Sequence, residues 1–390
     1  MWRLFRMQRF ESLVKGLTFK GLGVVQAPNG QVFFVRGAWP GDEGTFEIEK
    51  IEKNYGYAKL VELTKKSSAR REPPCPHMGF EDGKCGGCPW MIANYDSQLV
   101  EKNRLVSHLL ERAGVLTDKS QVLPIIGSDK EFSYRNRAQI KTDGKNIGFV
   151  SSQSKSLAPI EDCLILSEKN KSTLATIRSQ LPNIAWVPQG TWSWNFIDID
   201  EDDVEFGLNQ RRPFKQANDD QNFKMKEWLK DKVSQLDQDQ SVLELFCGSG
   251  NFTEVLSQAG FSKIVATELS SEAVQELSDK KFPNVEAYRE DIFKPHAWSK
   301  LKLKVSPSVL FLDPPREGFP QIKDFINEFK SIEHIIYVSC DLSTFVNDVK
   351  KLRGAGYELV EIQPLDQFPQ TPHIEILSYL RKLELCNERG

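Results

Sequence analysis

Leu243-Glu244-Leu245-Phe246-Cys247-Gly248-Ser249-Gly250-Asn251-Phe252 is the stretch on which the fold of this chain turns. An apolar run enters two glycines, and a segment of helical character, 252–259, follows. The glycines permit a tight turn and close approach of backbone to a ligand, and the helix N-terminus offers N–H groups there. A bare Gly-x-Gly marks many strand-to-helix turns, so the weight falls on what comes after it. Glu268 lies 20 residues beyond Gly248, at the end of the next apolar run, 263–267. An acid in that place accepts hydrogen bonds from ribose hydroxyls. Glu290-Asp291-Ile292 follows a third run, where Asp291 suits the amino edge of an adenine, and Asp313-Pro314-Pro315-Arg316 closes a fourth, 308–312. Thr253 stands where a dinucleotide fingerprint would carry its third glycine, so the set favours S-adenosylmethionine over NAD.

Working outward, a helix at 271–279 and strands at 335–338 and 375–380 continue the alternation. Strands alternating with helices predict an α/β domain with a mostly parallel, doubly wound Rossmann-like sheet over 215–390. Upstream, 12–70 reads as short strands punctuated by Pro28-Asn29-Gly30 and Pro40-Gly41, the pattern of a small OB-type β-barrel. Ser67 to Pro74 reads as a linker. The central region 71–214 opens with three cysteines, continues into a helical stretch over 97–113, and returns to strand-like 132–140 and 146–150. Three domains follow: 1–70, 71–214 and 215–390.

The chain has 390 residues, 39% of them hydrophobic, and no apolar run as long as a membrane helix. Its N-terminus mixes Arg3, Arg6 and Arg9 with apolar residues and lacks the core of a secretory signal, which suits a basic arm. Seven cysteines without such a signal point to a reducing, cytoplasmic setting. Residues 1–71 hold 13 Lys and Arg against 7 Asp and Glu, although the whole chain carries −3. A basic N-terminal module on an acidic body suits a polyanionic partner such as RNA.

Two late segments carry chemistry. Ser339-Cys340-Asp341 follows an apolar strand, which sets Cys340 at the ligand-binding edge of the sheet. Glu375 opens another apolar strand, a place where an acid is either paired or functional. A thiolate adds to C6 of a uracil and pushes electron density to C5, and a carboxylate removes the C5 proton afterwards. His373 is read as a positioning or structural residue, and Cys247 as a packing residue. Cys75, Cys85, Cys88 and Cys163 form a three-plus-one thiol set. Four thiolates suit zinc or a [4Fe–4S] cluster; paired knuckles are the usual zinc arrangement, so this layout favours iron–sulfur.

Together these segments resemble the RNA uracil-5-methyltransferases, and more closely their ribosomal-RNA branch. Gly21-Leu22-Gly23-Val24-Val25 and Val35 to Asp42 are similar to the family's TRAM domain, and Arg212 to Asn218 to its entry into the methyltransferase domain. Phe311 to Gly318 and Tyr337 to Asp341 are the most specific matches. The resemblance implies that Gln216, Phe246, Asn251, Glu268, Asp291 and Asp313 contact S-adenosylmethionine. It implies Cys340 as nucleophile, Glu375 as base, and an iron–sulfur cluster on the four cysteines. The implied activity is C5 methylation of a uridine in 23S ribosomal RNA; the cysteine usage and run lengths add a cytoplasmic, membrane-independent setting, and a monomer is the default expectation. Three readings compete: the same chemistry on tRNA, methylation of an exocyclic amine, and an RNA-binding factor with an inactive methyltransferase fold.

Overall fold

The computed structural model describes residues 8–152, 154, 156–203 and 205–383. Arg3 and Arg6 of the basic arm lie outside the described residues. The chain divides into two compact units, one of residues 1–105, 129–212 and 368–372, the other of 106–128, 213–367 and 373–390.

The first unit begins with six strands: β1 (Arg9–Leu13), β2 (Gly16–Leu17), β3 (Gly23–Gln26), β4 (Val32–Val35), β5 (Glu43–Ile51) and β6 (Gly56–Lys65). Their order is β1-β5-β6-β4-β3-β2. The sheet curls back on itself: the Ser12 hydroxyl of β1 donates to the carbonyl of Gln26 in β3 at 2.9 Å. Alternation along β4 sends Phe33 and Val35 inward, where they pack with Phe10, Val25, Phe46 and Ala58. Asp42, fully buried, accepts from the Trp39 and Ser67 amides and pairs with Arg70 at 2.7 Å. That carboxylate ties the barrel to the segment that follows.

Helix α1 (Tyr95–Ala113) starts in this unit, and the unit boundary falls inside it. Next come β7 (Arg137–Thr142), β8 (Ile147–Val150), β9 (Leu157–Pro159), α2 (Glu168–Ser179) and β10 (Asn195–Asp200). They form an antiparallel sheet in the order β10-β7-β8-β9. The strand expected from 132 begins only at Arg137. Tyr134 instead turns inward and donates from its hydroxyl to the Pro369 carbonyl at 3.1 Å, so a tertiary contact overrides the local alternation.

The second unit contains α3 (Asp219–Ser234), β11 (Ser241–Leu245), α4 (Thr253–Ala259), β12 (Lys263–Glu268), α5 (Ser271–Asp279), β13 (Val285–Arg289), α6 (Pro295–Lys302), β14 (Val309–Leu312), α7 (Ile322–Glu328), β15 (His334–Ser339), α8 (Leu342–Arg353), β16 (Tyr357–Leu365) and β17 (Glu375–Lys382). The sheet order is β13-β12-β11-β14-β15-β17-β16. Strands β11 to β15 are mutually parallel, whereas β17 runs antiparallel to both β15 and β16. The chain starts in the middle, at β11, and later jumps to its other side, at β14. This reversal is the switch point at which open α/β sheets bind ligands, beyond the strands' carboxyl ends. Val242, Ile264, Val309 and Ile336 fill the core beneath it.

Candidate active site

The residues assigned to cofactor and catalysis all lie in the second unit. At the end of β11 the backbone takes positive φ at Phe246 (61°), Gly248 (54°) and Gly250 (90°). The φ of 90° at Gly250 strains any L side chain, and a Cβ there would also lie 2.5 Å from Leu277 Cδ1. Glu268, leaving β12, holds this loop: its Oε2 accepts from the Gly248 amide at 3.2 Å. Its Oε1 accepts from the Leu269 and Ser270 amides at 2.7 and 2.9 Å.

Asn251 exchanges amide hydrogen bonds with Asn222 at 2.8 and 3.0 Å. Asp291, after β13, accepts from the Phe293 amide at 3.1 Å. Gln216 accepts from Gln367 at 3.1 Å. The Phe246 ring meets those of Phe293 and Phe319 at 5.5 and 5.9 Å. Neither partner ring was expected from sequence.

Strand pairing brings the reactive groups together. Ser339 of β15 pairs with Ile376 of β17. Cys340 is the next residue out of β15 and Glu375 the first of β17, so both stand at one end of this pair. Asp313 leaves the adjacent β14. Glu375 is 5% exposed. Burial and the Asp313 carboxylate push its carboxyl well above the usual range, while Arg316 works the other way. Burial, Glu375 and Asp313 push the Cys340 thiol up to about 12, again against Arg316. Burial pushes Asp313 to about 7. Cys340 and Glu375 thus share one guanidinium, and burial favours the protonated form of all three groups.

Such a thiol attacks only as it sheds its proton, and a carboxyl raised this way is a strong proton acceptor once ionised. Asp341 directs its carboxylate to the Ser343 and Thr344 amides as the N-cap of α8. His373 is exposed. Cys247 packs with Ala266 and Leu277, as expected of a packing residue.

Three further residues escaped the sequence reading. Glu244, within β11, is 1% exposed, and among the described residues neither carboxylate oxygen has a hydrogen-bond partner. Burial drives it to about 8, with Asp313 adding to the rise. An acid inside the apolar run 242–245 was the available signal. Asp348, 2% exposed, accepts from the Tyr337 hydroxyl at 2.8 Å and the Phe319 amide at 2.6 Å, and pairs with Lys351. It therefore ties the strand that ends at Cys340 to the loop that begins at Asp313. Arg316 was quoted in the motif but given no role.

In the first unit, Cys75, Cys85, Cys88 and Cys163 line one small, largely apolar cavity with Met78, Met91 and Ile165. Burial and neighbouring thiols push Cys88 up strongly, and Cys163 rises to about 11. The expected convergence of four thiols is present. The described residues nevertheless include no group of three or more His, Cys, Asp or Glu arranged so that it could hold a metal ion. No helix among the described residues is long and apolar enough to cross a membrane.

Residues 195–383 match the family model described as tRNA (Uracil-5-)-methyltransferase. An uncharacterized RNA methyltransferase of Nitrosomonas europaea is 43% identical over 380 residues, covering 96% of this chain and 97% of the relative. A 23S rRNA (uracil(1939)-C(5))-methyltransferase of Francisella tularensis subsp. novicida is 24% identical, covering 96% and 97%. Among solved structures, the Pyrococcus abyssi tRNA (uracil-54, C5)-methyltransferase in complex with S-adenosyl-L-homocysteine superposes with a TM-score of 0.68. It is 22% identical, covering 95% of this chain and 99% of that one, and shares the fold.

Proposed function

We propose that this chain, which belongs to the RNA uracil-5-methyltransferase family, methylates C5 of a specific uridine in 23S ribosomal RNA. The observation that supports the reading is the meeting of Cys340, Glu375 and Asp313 at the carboxyl end of β14 and β15. Cys340 sulfur, as thiolate, forms a bond to C6 of the uracil, and the ring's electron pair moves to C5. C5 then takes a methyl group, Glu375 carboxylate removes the C5 proton, and the returning electrons expel the Cys340 thiolate. S-adenosylmethionine would supply that methyl as an electrophile, held by Gln216, Phe246, Asn251, Glu268, Asp291 and Asp313. The positive-φ glycine turn leaves room for such a ligand, and Glu268 keeps acceptor capacity for ribose hydroxyls. Positioning supplies most of the acceleration, since sulfur, ring and methyl must be held at attack distance. A paired base would first leave its stack, at a cost of about a few kcal/mol.

In this reading 1–70 is an RNA-binding barrel, 71–214 the cysteine-bearing domain and 215–390 the catalytic domain of a cytoplasmic monomer. The four cysteines hold a [4Fe–4S] cluster of structural role, a reading supported by their shared apolar cavity.

Fluorine at C5 cannot leave as a proton, so 5-fluorouracil-substituted RNA stalls the reaction with Cys340 bonded to C6. A cofactor-dependent shifted band on a denaturing gel, absent in Cys340→Ala, is the expected result. A preparation that methylates unsubstituted RNA yet gives no band would sink the mechanism and move the reading to amine methylation. The family model and the Pyrococcus abyssi structure both name tRNA, so tRNA is the second substrate to assay. Digestion of the trapped band identifies the nucleotide.

A further inference from the structure

The loop joining β16 to β17, residues 366–374, has a property that the chemistry leaves unexplained. Connecting segments normally run over the surface, because buried backbone must find its hydrogen bonds inside the protein. Here every residue but Phe368, Pro372 and His373 is buried. The tip of the loop, residues 368–372, belongs to the first unit, whereas the residues on either side of it belong to the second.

At the centre of the tip, Gln370 is fully buried and takes a φ of 71°. That left-handed region strains a non-glycine residue and persists only where the surroundings over-determine it. They do so here. The Gln370 amide donates to Gln98 Oε1 of α1 at 2.9 Å, and its carbonyl accepts from the Trp90 amide at 3.0 Å. Its side-chain oxygen accepts from Gln98 Nε2 and from the Arg71 guanidinium, both at 2.9 Å. Its Nε2 donates to Glu131 at 3.3 Å, and Arg71 pairs with the same Glu131 at 2.9 Å. Every polar atom of Gln370 is thus engaged. The preceding carbonyls are held as well, Phe368 by the buried Lys102 ammonium at 3.2 Å and Pro369 by the Tyr134 hydroxyl at 3.1 Å.

The chain leaves this clamp at Pro372, and Glu375 opens β17 three residues later. Glu375 pairs with Leu365 of β16, but toward β15 the ladder ends one residue further on, at Ile376 with Ser339. The sheet therefore holds the residue that carries the base on one side only. From Pro372 to Glu375 the chain spans at most about 11 Å, so little slack separates the clamp from the carboxyl.

We propose that Gln370 is a positioning residue for Glu375: the clamp on the loop tip fixes the chain as it enters β17, and with it the carboxylate that removes the C5 proton. The inference rests on the reaction proposed above and deepens it. Its competitor is plain anchoring, in which the buried polar network serves stability alone.

The test uses the full chain and separates the last step from those before it. Methyl transfer precedes proton removal and is irreversible, so kcat/KM reports only the events up to it, whereas kcat includes the loss of the proton. Gln370→Gly keeps the positive φ without strain and removes the side-chain bonds. The variant is expected to lose about 10²-fold in kcat, the effect of displacing a reacting group by about 1 Å. Its kcat/KM, and its rate of adduct formation on 5-fluorouracil RNA, should stay within about twofold of the parent. Adduct should also accumulate on ordinary uracil RNA. Gln98→Met, which keeps the volume and drops both bonds to Gln370, should show the same split.

A purely structural role gives a different pattern, because loss of folded protein lowers kcat and kcat/KM together. The proposal is overturned if the two constants fall in equal proportion in both variants, in step with Tm. It is equally overturned if Gln370→Gly turns over like the parent. A parent chain that methylates RNA without forming any fluorouracil adduct would overturn the reaction and this inference together. A parent that forms the adduct, beside a Gln370→Gly variant with no excess of adduct on uracil RNA, would overturn this inference alone.

Discussion

The cysteine cavity of the first unit and the Cys340 site of the second pose the same electrostatic problem and meet it differently. Each gathers groups that become anions on losing a proton, and each places them where water is scarce. Around Cys75, Cys85, Cys88 and Cys163 the neighbours are mostly apolar, and burial with neighbouring thiols raises Cys85, Cys88 and Cys163. Only a bound cationic centre would make four thiolates there stable together. Around Cys340 the neighbours are carboxyls and one guanidinium, so charge is balanced by protons that can leave. The first arrangement suits permanent ligation. The second suits a reaction in which a thiol and a carboxyl exchange protons with substrate. Burial of like groups thus predicts function only after asking what neutralises them.

The comparison breaks first at Cys340. Cys340→Ala should lower methylation by about 10⁴-fold or more, by analogy with lost nucleophiles elsewhere, and abolish the fluorouracil adduct, with Tm unchanged. A variant that keeps a tenth of the activity would remove the site from the reaction. Next is Glu375→Gln, expected to cost about 10³-fold in turnover. Adduct should then accumulate on ordinary uracil RNA, because the C5 proton has no acceptor, and a gel of that RNA is the check.

The pH dependence sharpens the contrast. With the Cys340 thiol raised to about 12, thiolate grows with pH throughout the neutral range. Adduct formation should therefore rise about tenfold per pH unit. A plateau near neutrality would mean that burial and the two carboxyls do not hold the thiol up.

Cys88→Ala should act on structure rather than chemistry. Iron and sulfide content should vanish and Tm fall by several degrees, while the protein that stays folded still forms adduct. The smallest effect belongs to Glu244→Gln. Glu244 has a folded-state value near 8 against an ordinary 4.5. The folded chain therefore binds more protons than the unfolded one between those values. Its contribution to stability is complete below 4.5 and lost as pH rises toward 8. Glutamine does not titrate, so the variant should melt a few degrees higher at pH 8 and show no gain near pH 4.

The sheet of the second unit was legible because its signals are local. Apolar runs leading to Gly248, Glu268 and Asp313 gave β11, β12 and β14 to within a residue or two and α5 to the residue, and the acid at Asp291 marked a third strand, β13, without bounds. Legibility failed where long-range contacts decide. The strand expected from 132 lost its first turn of residues to the contact between Tyr134 and Pro369. Cys340 and Glu375 could be nominated singly, but their adjacency comes from the antiparallel pairing of β15 with β17, a register that no short window encodes. Glu268 was read as a ribose ligand, and its grip on the Gly248 amide became visible only with the loop in place. Glu244 was hidden for a related reason: an acid in a strand reads as the exposed half of an alternation unless both faces of the sheet are known to be covered.

Asp348 has a consequence for how this molecule can vary. By holding Phe319 at one end and Tyr337 on the neighbouring strand, it sets the length of chain between Asp313 and Phe319 as one sets the span of a bridge between fixed piers. Residues within that span include Arg316, the guanidinium that acts on Cys340 and Glu375, and Gly318, where a Cβ would sit 2.6 Å from the Asp348 carboxylate. Their number cannot change without moving Arg316 relative to Cys340. Insertions that lengthen loops elsewhere at little cost would here detune the nucleophile.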